Sequence, residues 1–176
     1  MQLLFPTHEL IESQQFLKSF FEAQKELDAT KDDRYSNDVP RPKTMKEYVD
    51  TLLAHSRGEN LPNDWVSYST FWLIDNDEFI GDTHIRHTLN DHLRNIGGHI
   101  GYTIRPSKRK QGYGTKILKL ALIEAKKLGI DFALITCDET NIGSKKIIEK
   151  NGGIFEKASE QSDGHEKKLL YWIKIS

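Results

Sequence analysis

The spacing of hydrophobic and polar residues predicts an ordered succession of short helices and strands. An apolar start at residues 3–5 is typical of an edge strand, which Pro6 ends. Thr7 is then well suited to cap a helix. Apolar positions follow it at helical spacing, at Leu10, Leu17, Phe20 and Phe21. We therefore expect a first helix that buries one side.

A second helix is expected to begin at Thr44. Thr44 and Glu47 have the spacing of a capping box, in which each side chain bonds the backbone N–H of the other residue. The buried stripe of this helix would contain Met45, Val49, Leu52 and Leu53. Residues 28–43, before this helix, are polar and contain Pro40 and Pro42. They are interpreted as a loop, either a solvated connection or a lid over a pocket.

The rest of the pattern predicts a mixed sheet with helices on both faces. Strands are expected at residues 67–74, 79–87, 98–104, 132–137 and 168–175, and helices at residues 115–128 and 142–150. Residues 98–137 read as a βαβ unit, for which we expect parallel neighbouring strands and a right-handed crossover. The predicted fold class is α/β, with one domain over residues 1–176.

Composition restricts the function without identifying it. The formal net charge of −1 provides no overall field to hold nucleic acid or an anionic membrane, so neither is expected as a partner. Cys137 is the only cysteine, which excludes an intrachain disulfide and fits a reducing, cytoplasmic location. No apolar stretch has the length of a membrane span, and the histidines lack the spacing of a metal site. We expect a soluble protein without a metal ion.

The segment between the strand at 98–104 and the next helix has the composition of an anion site. It contains Arg-Lys-Gln-Gly-Tyr-Gly at residues 109–114. Glycines two residues apart leave the backbone free to turn its amides toward one point, and a helix N-terminus adds unpaired N–H groups. Positive charge comes from Lys108, Arg109, Lys110 and Lys116. These features predict a pyrophosphate site, and the alternative is a glycine-rich turn with solvated lysines.

Two motifs around this segment resemble those of the GNAT-type N-acetyltransferases. Arg109, Gly112 and Gly114 match the family's acyl-CoA-binding motif, Gln/Arg-x-x-Gly-x-Gly/Ala. Downstream, Asn141-x-x-Ser144 and the Glu-Lys-x-Gly of residues 149–152 resemble the family's second helix motif. The resemblance covers residues 98–153 by motif and the remaining chain by the order of elements. It implies a GNAT-like fold and acetyl-CoA as the cosubstrate.

The resemblance also implies which residues bind acetyl-CoA. Backbone amides at the helix start would hold the CoA pyrophosphate, and the strand that precedes them would pair with pantetheine as an added strand would. Asn141 would contact pantetheine or cap its helix, and these roles are compatible. The expected cofactor-binding residues are Thr103, Ile104, Arg109, Lys110, Gln111, Gly112, Tyr113, Gly114, Thr115, Asn141 and Ser144.

Acetyl transfer to an amine requires a proton acceptor, for which His99 is the candidate in the sequence. Many family members have a glutamate on this strand, and histidine titrates near neutral pH. The alternative is a structural histidine that pairs with a loop at the opening of the sheet. At the acid position the chain departs from the family, because Ile148 stands where tyrosine is common. Tyr102 or Tyr113 could supply the hydroxyl, or the thiolate could leave without an acid.

The resulting hypothesis is an N-acetyltransferase that moves the acetyl group of acetyl-CoA to an amine by direct attack in a ternary complex. The alternatives are a non-catalytic acyl-CoA-binding or sensor module and a nucleotide-binding protein with the same anion site. The acceptor would be a small-molecule or peptide amine, contacted by Arg86, His87 and Asn90. The C-terminal strand could pair between the subunits of a homodimer.

Overall fold

Two antiparallel sheets form the centre of the structure, a computed structural model that describes residues 1–30, 44–159 and 167–176. The strands are β1 (Gln2–Leu4), β2 (Tyr68–Asp75), β3 (Glu78–Arg86), β4 (Ile100–Ile104), β5 (Phe132–Asp138), β6 (Ile154–Ala158) and β7 (Lys168–Lys174). The first sheet has the order β1-β2-β3-β4, and the second has the order β5-β7-β6. The mixed α/β class is confirmed.

In the residues described, five α-helices connect and cover these strands. They are α1 (Gln14–Ala29), α2 (Met45–Ser56), α3 (Asp91–Asn95), α4 (Tyr113–Lys127) and α5 (Ile142–Lys150). Most of the loop predicted at residues 28–43 lies outside the described residues, and its first two residues end α1. Among the described helices, none combines the length and apolar character needed to cross a membrane.

Alternate residues of β2 point to opposite faces of the first sheet, and different helices cover the two faces. On one face, Trp72 packs with Phe16 of α1 and Val49 of α2. On the other face, Phe71 packs with Leu118 of α4. The first sheet is therefore the middle layer of a three-layer arrangement.

β4 and β5 do not form the parallel pair that the βαβ pattern predicted. They belong to different sheets, and their link is one isolated antiparallel bridge between Gly98 and Ile135. Gly98 has a φ of +65°, and a Cβ there would lie 2.4 Å from the carbonyl oxygen of Leu134. This left-handed residue interrupts the extended chain, so the ladder is not continued. Beyond the bridge, β4 is the edge strand of its sheet.

The start of α2 follows the sequence prediction, whereas the start of α1 does not. The Oγ1 atom of Thr44 accepts from the Glu47 N–H, and the Glu47 carboxylate accepts from the Thr44 N–H, both at 3.2 Å. The capping box is therefore confirmed. α1 is capped by Ser13 and not by Thr7, because Thr7 accepts from the Leu10 N–H and opens a short 3₁₀ turn before the helix.

Two elements were not predicted because they lack a hydrophobic pattern. α3 has five residues and no buried side chain, and the amide of Asn90 caps it. β6 has five residues, all exposed, and is held by backbone pairing with β7. The sequence signal for α3 is local polar chemistry, which is also typical of loops, and the two apolar residues that begin β6 are too few to show an alternating pattern.

A buried arginine joins α1 to the segment that precedes α4. Arg105 is 5% exposed, and its guanidinium lies 2.5 Å from Glu26 and 3.3 Å from Glu78. Glu26 also accepts from the backbone N–H of Ser107 at 2.9 Å. The hydrogen bond from Arg105 lowers the pKa of Glu26 to about 2, against the opposing effect of burial. This network fixes the chain between β4 and α4.

Replacing Glu26 by glutamine is expected to lower the unfolding free energy by about 2 kcal/mol at pH 7, because Arg105 stays buried with a weaker partner. The loss is smaller than for a fully buried pair since the Glu26 side chain is 27% exposed. Folding lowers the pKa of Glu26 from 4.5, so its stabilisation is complete above about pH 4.5 and is lost as pH falls toward 2. In denaturant titrations from pH 7 to pH 2, the unfolding free energies of the wild type and Glu26→Gln should become equal.

Glu59→Gln provides the matched control, because Glu59 forms an exposed pair with Arg57. Its stability should equal that of the wild type within error at pH 7. Equal losses in the two variants, or a difference for Glu26→Gln that does not shrink in acid, would contradict the structural role of this network.

Candidate functional site

The N-terminus of α4 presents an open group of backbone amides. Gly112 precedes the helix with a φ of 87°, and no side chain caps this end. The first N–H groups of a helix have no partner within it, so those of Tyr113, Gly114 and Thr115 are available to a ligand. No atom lies within 4 Å of a Cβ built at Gly112. Such an arrangement is suited to an anion.

Gly114 also has a packing role. A Cβ at this position would lie 2.5 Å from Cδ1 of Ile147 on α5, so glycine allows the two helices to approach. The N-terminus of α5 is capped by Asn141, whose side chain accepts from the N–H of Ser144 at 3.0 Å. Of the two roles predicted for Asn141, the structure therefore shows the helix cap.

The basic residues beside the amides differ in their availability. Lys108 pairs with Glu78 at 2.7 Å, and Nε of Arg109 donates to the carbonyl of Ile104 at 3.1 Å. Lys110 and Lys116 are exposed. Two of the four predicted cations are therefore partly engaged in holding the loop, and two face solvent.

Tyr102 links the edge strand β4 to the start of α5. Its hydroxyl lies 2.8 Å from Oγ of Ser144. Ile148 is completely buried in the core, so an aliphatic side chain fills the position where tyrosine is common in the family. Tyr102 brings a phenol hydroxyl to the helix from the neighbouring strand instead.

His99 contacts the backbone of β5 through the ring. Its Nδ1 accepts from the N–H of Leu134 at 2.9 Å, so in the neutral ring the proton is on Nε2 and no lone pair remains for a substrate proton. Burial, with the charges of Arg94 and Arg86, lowers the pKa of His99 to about 4. These contacts favour the structural alternative for His99 over the role of general base.

The three residues expected to contact the acceptor each make hydrogen bonds within the protein. Nη1 of Arg86 donates to the carbonyl of Gly98 at 3.2 Å. His87 follows it in the chain and bonds Oγ of Ser69 at 2.9 Å. Asn90 caps α3, and its Nδ2 donates to a loop carbonyl at 2.9 Å. The structure thus uses each of these side chains for internal contacts, and those of Asn90 are structural.

A row of polar side chains on β3 was recognised only in part by the sequence analysis, which singled out Arg86 but not Asp82 or His84. Asp82, His84 and Arg86 alternate with buried residues and are half-buried on one face of the first sheet. In the strand register, Asp82 lies between Trp72 of β2 and Thr103 of β4. The signal in the sequence was a polar residue at every second position of an otherwise apolar strand.

Metal binding and catalysis by the Cys137 thiol are two further chemistries to which the structure applies. In the described parts of the chain, no three or more His, Cys, Asp or Glu side chains are grouped to hold a metal ion. Cys137 is buried in the core, and burial raises the pKa of its thiol to about 11. A thiol in this state is a poor nucleophile.

The fold is similar to those of solved acetyltransferase structures. An acetyltransferase from Salmonella typhimurium that modifies the N-terminal serine of ribosomal protein L7/L12 has a TM-score of 0.62 at 16% identity, covering 93% of this chain and 92% of its own. An N-acetyltransferase from Staphylococcus aureus has a TM-score of 0.62 at 13% identity, covering 99% and 98%. The microcin C7 self-immunity acetyltransferase MccE, in complex with acetyl-CoA and AMP, has a TM-score of 0.61 at 16% identity, covering 98% and 91%. At such identities the likeness concerns the fold.

Family membership follows from the sequence match and not from the structures alone. A search of curated protein sequences gave no significant match. The family model described as "Acetyltransferase (GNAT) domain" matches residues 16–154, which include most of α1, strands β2 to β4 of the first sheet, the open amides of α4, and α5. The chain therefore belongs to the GNAT acetyltransferase family.

Proposed function

We propose that the protein transfers the acetyl group of acetyl-CoA to an amine, by direct attack in a ternary complex. The observation that carries the proposal is the uncapped N-terminus of α4, which follows the edge strand β4 in the chain after the short segment 105–112. A pyrophosphate and an extended pantetheine chain need these two features side by side.

In this proposal the amides from Gln111 to Thr115 hold the CoA pyrophosphate, assisted by the exposed Lys110. Pantetheine adds to the edge strand β4 along Tyr102–Ile104, as a peptide adds to the edge of a sheet. The start of α5 is assigned to the side of the thioester, because the hydroxyl of Ser144 contacts that of Tyr102 and Asn141 caps the same helix.

The acceptor amine must lose a proton before it attacks. An alkylamine with a pKa of about 10.4 pays about 4.6 kcal/mol to be neutral at pH 7 if nothing assists it. A nearby carboxylate or imidazole relieves part of this cost. Because the only cysteine is buried with a raised pKa, the amine attacks the thioester itself and not an acetylated enzyme.

Tyr102 is the residue that we assign to the leaving group. When the C–S bond breaks, the thiolate takes a proton from the tyrosine hydroxyl, which the Ser144 hydroxyl orients at 2.8 Å. The aliphatic Ile148 at the family's tyrosine position favoured a non-catalytic sensor. With Tyr102 as the acid, Ile148 no longer favours that alternative. The acceptor is the amine of a small molecule or of a peptide. The Salmonella relative is described as modifying a protein N-terminus.

Gly112→Asp should weaken acetyl-CoA binding at least tenfold, because a carboxylate in the open space before α4 repels the pyrophosphate. Gly129→Asp is the matched control, since Gly129 has a φ of +82° and equally open surroundings at the other end of α4. Isothermal titration with acetyl-CoA, CoA and ATP measures the effect. Unchanged affinity in Gly112→Asp, or tighter binding of ATP than of CoA, would refute the amide site as a CoA site.

Tyr102→Phe should lower kcat by about tenfold or more while acetyl-CoA affinity changes little, because it removes the proton donor but keeps the ring. The effect is limited because a thiolate is a fair leaving group. Tyr113→Phe is the control, and stopped assays of CoA thiol release with an amine panel provide the rates. A Tyr102→Phe enzyme as fast as the control would show that no acid is needed from this residue.

His99→Asn and His99→Ala separate the structural and catalytic alternatives for His99. An asparagine oxygen can accept from Leu134 N–H as the imidazole does, whereas alanine leaves a buried donor unpaired at a cost of about 1–3 kcal/mol. We expect the asparagine variant to keep both stability and turnover, and the alanine variant to lose stability. A loss of turnover of 100-fold or more in both variants would restore His99 as the base.

A further inference from the structure

Two buried polar atoms at the same position of the first sheet lack hydrogen-bond partners. In the described part of the chain, Oδ1 of Asp82 accepts no hydrogen bond and Nε1 of Trp72 donates none. The two residues are opposite each other in the register of β2 and β3, so their side chains leave the sheet on the same face. Buried polar groups are satisfied in nearly all proteins, which makes this coincidence a sign of a ligand.

The surroundings of Asp82 are aromatic on one side and polar on the other. The ring of Tyr48 on α2 stacks on Trp72 at 6.4 Å and 27°. The charge of Asp82 contributes, after burial, to raising the pKa of the Tyr48 hydroxyl, so the two groups are close. His84, two residues along the same face, bonds Oγ1 of Thr70 at 2.8 Å.

The row also lies beside the strand that we assign to pantetheine. Asp82 is opposite Thr103 of β4, and His84 is opposite Gly101. Among the described residues, a Cβ at Gly101 would approach only Arg86 Nη1, at 3.9 Å, so these residues leave space beside Gly101. Neighbouring strands are about 4.8 Å apart. A molecule held by Asp82 is therefore one strand from the edge at which the thioester would end.

A carboxylate in such a place favours a cationic ligand. Burial raises the pKa of Asp82, and the charge of His84 and a hydrogen bond from Thr103 only partly oppose this effect. An ammonium group supplies the missing donor to Oδ1 and compensates the desolvated charge. Titratable or charged groups also face this region from α2 (Tyr48 and His55), from β2 (Tyr68) and from β3 (His84 and Arg86).

We propose that Asp82 binds the ammonium group of the acceptor and takes its proton, in a site bounded by Tyr48, Trp72 and Thr103. The proposal rests on the transfer reaction above and names the class of its acceptor, a primary alkylamine with an apolar body. The aromatic rings fit the carbon skeleton, and Oδ1 of Asp82, which has no partner among the described residues, fits the ammonium. Asp82 would be a catalytic residue in a position that no motif of the sequence marked.

The protons balance as follows. One proton of R–NH₃⁺ moves to Asp82, and the lone pair of R–NH₂ forms the N–C bond to the thioester carbonyl. As the C–S bond breaks, the thiolate takes the proton of the Tyr102 hydroxyl. A second proton then leaves the nitrogen and restores the Tyr102 hydroxyl. The third proton stays on the amide. Asp82 releases its proton to solvent, so the products are the N-acetylamine, CoA thiol and one H⁺.

The test uses the full chain, phenethylamine as the amine probe and Asp82→Asn. Asparagine has nearly the same shape and removes a buried charge, so the variant should fold. Asp131→Asn is the matched control, because Asp131 is exposed and pairs with Lys126 at the end of α4 remote from the amides. Kcat/KM for phenethylamine is measured from pH 6 to pH 9 by CoA thiol release.

At pH 7 we expect kcat/KM of Asp82→Asn to fall about 100-fold or more, with acetyl-CoA affinity and the Asp131→Asn control unchanged. Without a proton acceptor the variant must use the free amine, so its kcat/KM should rise about tenfold per pH unit, whereas that of the wild type stays nearly level. A general loss of structure would lower the rate without this change of slope. Equal slopes in the two proteins would overturn the proposal.

A binding measurement separates this proposal from the transfer reaction on which it rests. Phenethylamine should bind the wild type at least tenfold more tightly than it binds Asp82→Asn, and 2-phenylethanol, which is neutral, should not distinguish them. If acetyl-CoA does not bind the wild type but phenethylamine shows this dependence, the transfer reaction fails and the ammonium site stands. If phenethylamine binds both proteins equally or neither, the ammonium site is refuted whatever acetyl-CoA does.

Discussion

The separation of β4 and β5 into different sheets is the constraint on which the rest of the site depends. A sheet that continued through both strands would satisfy every backbone group of β4, and nothing could add to its edge. The left-handed Gly98 and its close approach to Leu134 limit the strand pairing to one bridge, next to which His99 bonds Leu134. The remaining length of β4 is then an edge strand in the interior of the domain, between two sheets and next to two helix N-termini.

Opposite charges would be held on the two sides of this edge. Where β4 ends, the uncapped amides of α4 favour an anion, and the Arg105–Glu26 pair fixes the loop that leads to them. One strand away, Asp82 favours a cation. An acetyl donor with a pyrophosphate and an acceptor with an ammonium group would therefore approach β4 from different sides. This arrangement would need no covalent intermediate, because both reactants would bind beside the same edge strand.

The sequence was sufficient where the determining contacts are local. The capping box at Thr44 and the glycine spacing before α4 concern residues within one or two turns, so their chemistry is visible in the order of residues. It was insufficient where the partner is distant in the chain. The role of His99 depends on the N–H of Leu134, and that of Asp82 on its register with Trp72 and Thr103. The βαβ pattern also predicted a parallel pair, because the left-handed turn at Gly98 is not apparent from hydrophobic periodicity.

Hydrogen–deuterium exchange with and without acetyl-CoA tests the central claim most directly. If acetyl-CoA adds to the edge of β4 and to the start of α4, the amides of residues 102–104 and 112–115 should exchange more slowly in its presence. Those of β6, in the other sheet, should be unaffected. Protection confined to other elements, or none in a folded sample saturated with acetyl-CoA, would contradict the account.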